Sequence, residues 1–67
     1  MSPELDWIMG EFGEQRATVM TIMCHADPHR IDTICVSEYE PSDPKRQTFR
    51  QCMRAVLEQM NAGKEVA

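Results

Sequence analysis

The chain has little of what usually stabilises or specialises a small protein. Its three cysteines in 67 residues are odd in number, so a disulfide framework is not expected. The opening Met1-Ser2-Pro3-Glu4-Leu5-Asp6 has neither the basic start nor the apolar core of a secretory leader. A soluble protein of the reducing cytoplasm is the expectation. No apolar run approaches the ~20 residues that a membrane helix needs. The longest, Ala17 to Cys24, is interrupted by Thr18 and Thr21. Aromatic residues make up 6% of the chain and are not interleaved with Lys and Arg, and only three glycines are present. Neither a base-stacking surface nor a phosphate-cradling glycine loop is indicated.

What remains is room for one domain, residues 1–67, with residues 62–67 read as a frayed polar tail. A domain of this size buries only about 60% of the surface its unfolded chain exposes. Its core rarely supplies more than ~3–5 kcal/mol, so self-association or a metal is the usual supplement.

Local signals divide the chain into four parts. Ser2 as a hydroxyl cap, Pro3 in the first turn and the acids Glu4 and Asp6 start a helix expected over residues 3–12, with Gly13 ending it. Ala17–Ala26 and Ile31–Glu40 are rich in Val, Ile, Thr, Cys and Tyr, and flank the turn-forming Asp27-Pro28-His29-Arg30. The reading is a β-hairpin. In that register both faces are apolar: Met20, Ile22, Cys24, Ile31, Thr33 and Cys35 on one, Val19, Thr21, Met23, Ile34 and Val36 on the other. Asp43 and Pro44 then open an amphipathic helix bearing Phe49, Cys52, Met53, Val56, Leu57 and Met60, with Gly63 as its stop. This helix covers one face of the hairpin. The predicted fold is therefore α+β, with a short N-terminal helix, a two-stranded antiparallel hairpin and a long C-terminal helix. The second apolar face predicts a homodimer.

Charge is unevenly spread. Residues 1–40 carry eight acids against Arg16 and Arg30, while residues 41–67 carry five bases against three acids. On the long helix, Lys45 and Arg46 oppose the helix dipole, and Arg46, Arg50 and Arg54 repeat at i+4, where like charges repel. Local helix stability did not select that pattern. It suggests capture of an anion or an acidic partner surface; the competing reading is a solvated stripe, or one paired with acids of the chain itself. Trp7 and Tyr39 are candidate interface anchors, being of the types that dominate binding hot spots.

Catalytic and cofactor chemistry find no support. Cys24, His25, His29, Cys35 and Cys52 include zinc-ligand types, but their spacing fits no common site. His25 facing Asp32 across the hairpin would be at most a cross-strand pair. We expect no enzyme activity, no catalytic residue, no metal and no cofactor. The expected function is that of a small non-catalytic regulator or inhibitor, of the kind found among bacterial or phage accessory proteins. It would act as a homodimer and dock on another protein through Lys45, Arg46, Arg50, Arg54, Trp7 and Tyr39. A nucleic-acid-binding dimer using the same basic stripe is the alternative, disfavoured by an isoelectric point near 4.9.

Overall fold

The computed structural model describes residues 2–64 as four helices: α1 (Pro3–Phe12), α2 (Glu14–Ala26), α3 (Arg30–Glu38) and α4 (Lys45–Lys64). There is no strand among the described residues, so the α+β class and the hairpin are overturned: both expected strands are helices.

The two outer helices form as expected, with their predicted starting caps. Ser2 Oγ accepts the Leu5 N–H at 3.2 Å, and Pro3 stands where no amide donor is needed. Gly13 ends α1 at φ 85°, ψ 154°, a region that only glycine occupies readily, and its carbonyl accepts the Ala17 N–H at 2.9 Å. One residue thus makes the joint between α1 and α2. Asp43 Oδ1 accepts the Lys45 N–H at 2.9 Å at the start of α4. Gly63 does not stop that helix, which continues to Lys64; residues 65–67 of the expected frayed tail lie outside the described residues.

The middle of the chain shows why the strand reading failed. The buried residues of α2 are Ala17, Met20, Thr21 and Cys24, a spacing of i, i+3, i+4 and i+7 that belongs to a helix. Val, Ile and Thr prefer strands only weakly, and tertiary packing overrides that preference. The two threonines are accommodated by returning their hydroxyls to the preceding turn: Thr18 donates to the Glu14 carbonyl and Thr21 to that of Ala17, each at 2.8 Å. The turn was located correctly but joins other elements. Asp27 accepts the His29 N–H at 3.1 Å, and the carbonyls of Asp27 and Pro28 accept from Arg30 and Ile31 at 3.0 and 3.1 Å. A type I turn has nearly helical dihedrals, so the same residues open α3.

α4 packs against all three other helices. Phe49, Met53, Val56 and Leu57 are its buried face, meeting Ile8 of α1, Ala17, Met20 and Cys24 of α2, and Ile31 and Cys35 of α3 in one core. Phe12, Tyr39 and Phe49 close one end of it with edge or tilted ring contacts 5.7–6.3 Å between centroids.

Candidate docking surface

The basic stripe of α4 is largely committed to the fold. Lys45 Nζ lies 3.2 Å from the Glu11 carboxylate, which also accepts the Tyr39 O–H at 2.8 Å. Arg46 donates from Nε to the Tyr39 carbonyl at 2.9 Å and from Nη2 to that of Val36 at 3.4 Å, satisfying carbonyls that the end of α3 leaves open. Arg50 Nε donates to Asp32 Oδ1 at 2.9 Å, and that hydrogen bond raises the guanidinium pKa further. Arg54, the last of the stripe, makes no such bond among the described residues; it is exposed on a shallow concavity of 330 Å³ that also holds the acids Asp32 and Glu58. Trp7 is half-buried against the core. Tyr39 is half-buried too, its phenol pKa pushed up by burial first and then by the Glu11 hydrogen bond. The structure therefore brings Lys45, Arg46 and Tyr39 together as an internal clamp on α1, α3 and α4.

The exposed feature of the molecule lies elsewhere. Among the described residues, Val19, Ile22, Met23 and Val36 are the large apolar side chains left open, at 51, 59, 37 and 56% exposure. Three of the four are on α2. With 3.6 residues per turn, Gln15, Val19, Ile22 and Ala26 fall opposite the buried Ala17, Met20 and Cys24, and all four are exposed. Thr18 and Met23 flank this row. Between Glu14 and Asp27 the only permanently charged residue of α2 is Arg16, which turns toward α3 to meet Glu38 at 2.7 Å and places its guanidinium 5.2 Å from the Phe12 ring centre. α2 is consequently apolar on its inner side and uncharged on its outer one. A shallow concavity of 580 Å³ at the α1–α2 joint, lined by Phe12, Gly13, Gln15 and Val19 among others, continues the surface past the N-terminus of α2. On the α3 side, Met20, Met23 and Ile34 contribute to a groove of 220 Å³.

Chemically reactive groups are not assembled around either feature. Desolvation raises the thiol pKa of Cys24, and desolvation then Glu4 that of Cys52, the reverse of nucleophile activation. His25 shares a 3.1 Å hydrogen bond with Asn61 rather than meeting Asp32, so the expected cross-strand pair does not form. His29 lies 3.2 Å from the Asp27 carboxylate, whose pKa is lowered chiefly by the His29 backbone N–H. Among the described residues no three His, Cys, Asp or Glu side chains converge as a metal site, and no helix is long and apolar enough to cross a membrane.

The class these observations define is a small all-helical domain with one charge-free, partly apolar helix face turned outward. The chain matches no protein-family model, no curated protein and no solved structure.

Proposed function

We propose that this is a non-catalytic protein-binding domain of the cytoplasm, a small regulator or inhibitor, and that it docks on another protein through the outer face of α2. The observation that carries this reading is the exposure of Val19, Ile22 and Met23 on one uncharged helix face. Uncovered apolar surface of this kind marks interaction sites in small proteins. An apolar helix face, read by a partner at i, i+3, i+4 and i+7 spacing, is a recurrent mode of protein recognition. The sequence shows apolar residues in excess of one core, but the hairpin reading put Ile22 on the opposite face from Val19 and Met23, and only the helix brings the three to one side. Lys45, Arg46 and Arg50 are engaged within the chain rather than held free for a phosphate backbone, which favours a protein partner over nucleic acid.

The test is capture from nuclease-treated lysate with tagged wild type, Ile22→Glu and Arg54→Ala. The reading requires a protein that Arg54→Ala retains and Ile22→Glu loses by at least about tenfold, the scale on which a charge desolvated in an apolar contact acts. Capture lost with Arg54→Ala and kept with Ile22→Glu would place the docking surface on α4.

A further inference from the structure

The outer face of α2 has a geometric property that its exposure alone does not express. Gln15, Val19, Ile22 and Ala26 are spaced four, three and four apart, the alternation of a coiled-coil seam. The row reads the same in both directions about its midpoint, between Met20 and Thr21. Two copies of α2 laid antiparallel across a two-fold axis at that point bring Val19 against the second copy's Ile22 twice over, with Gln15 against the second copy's Ala26 at each end.

Charge supports the same arrangement. The seam itself carries none, so nothing repels an identical face and nothing on it selects a charged partner. At the flanks, antiparallel pairing sets Arg16 beside the second copy's Met23, whose apolar surface suits the arginine stem, and Thr18 beside the second copy's His25. No charge of the seam or its flanks meets its own copy. The antiparallel order also brings the positive N-terminal end of each helix to the negative C-terminal end of the other. The concavity at the α1–α2 joint, lined by the charged Glu14 and Arg16 as well as Gln15 and Val19, lies where the second copy's Ala26 and Asp27 arrive, with Arg16 as the cation available to the Asp27 carboxylate.

We infer that the free protein covers this face with a second copy of itself, as an isologous dimer whose seam is an antiparallel α2 pair, and that a target protein docks by displacing it. The inference rests on the reading of this face as a docking surface and adds the identity of its resting occupant. α2 is 13 residues long, about 20 Å, so one such pair is a small interface and the association is expected to be weak and concentration-dependent.

Sedimentation equilibrium of the wild-type chain, of Ile22→Glu and of Val19→Ser tests it, with far-UV circular dichroism confirming that each is helical. The expected result is a concentration-dependent monomer–dimer equilibrium for wild type, at least tenfold weaker in both variants; Val19→Ser keeps the test open should Ile22→Glu fail to fold. Orientation is read by oxidising Gln15→Cys and Ala26→Cys, separately and mixed, with wild type as control for the native thiols. Linkage in the mixture that exceeds either variant alone supports the antiparallel seam; linkage of each variant to itself indicates a parallel one and overturns it. A wild-type chain that stays monomeric at about 100 times micromolar overturns the dimer, while the docking reading is then decided separately by whether Ile22→Glu abolishes capture of a target.

Discussion

α4 and α2 are the two helices that most define this molecule, and they use their side chains in opposite ways. α4 has one apolar face, of which Phe49, Met53, Val56 and Leu57 are buried by the other three helices, and its cations Lys45, Arg46 and Arg50 bind acids and carbonyls of α1 and α3. α2 is apolar toward the core and uncharged away from it, so folding satisfies only half of its surface. The difference shows that a conspicuous charge pattern can be internal architecture, whereas an unremarkable run of Val, Ile and Met can be the surface that folding leaves uncovered. It is unmatched burial, not unusual composition, that separates the two.

Substitutions can break this comparison at several strengths. The largest effect is expected at Phe49, fully buried on α4 and in contact with the Phe12 and Tyr39 rings. Phe49→Ala should cost about 3–5 kcal/mol, comparable with the entire stability of a domain this small. Loss of the cooperative thermal transition in circular dichroism is the expected readout.

Next in size, Arg46→Ala removes both hydrogen bonds to the end of α3 and should destabilise by about 1–2 kcal/mol, whereas Arg54→Ala should stay within about 0.5 kcal/mol. Urea unfolding of the pair compares them directly. Equal losses would mean that the stripe acts as a unit after all.

A smaller effect is expected at alkaline pH. Burial, then the Glu11 hydrogen bond, favour the neutral Tyr39 phenol in the folded state, so its folded pKa lies above the unfolded one. That stabilisation is complete below about pH 10, the ordinary tyrosine pKa, and is lost as the pH rises beyond it. Cys24, raised by burial, acts in the same direction from its own ordinary value upward. The melting temperature should therefore fall more steeply above about pH 10 in wild type than in Tyr39→Phe. Parallel falls would remove the Tyr39–Glu11 contact from the account.

Much of this was legible in the sequence where the signal is local. The Ser2 cap, the Gly13 joint, the Asp43 cap and the apolar row of α4 fixed α1 and the start and inner face of α4, because each depends on neighbours within one or two turns. α2 and α3 were misread because β-branched residues over Ala17–Ala26 look like a strand until the Ala17, Met20, Cys24 period is weighed. The sign was already present in the hairpin that came out apolar on both faces: a helix read at period two distributes its core and its outer stripe alternately and makes every face look buried. The arginines could not be assigned from sequence, since the partners of Arg50 and Arg46, Asp32 and the Tyr39 carbonyl, are brought near only by the α3–α4 packing.

The central claim is that the outer face of α2 serves association and not folding. Its most direct test is the urea midpoint of wild type and Ile22→Ser followed over about a hundredfold range of protein concentration, because association of the native state alone stabilises it by mass action. The account predicts a wild-type midpoint that rises with concentration and an Ile22→Ser midpoint that does not, the two converging at the dilute end. A wild-type midpoint independent of concentration, with Ile22→Ser markedly less stable even when dilute, would contradict it and return Ile22 to the fold.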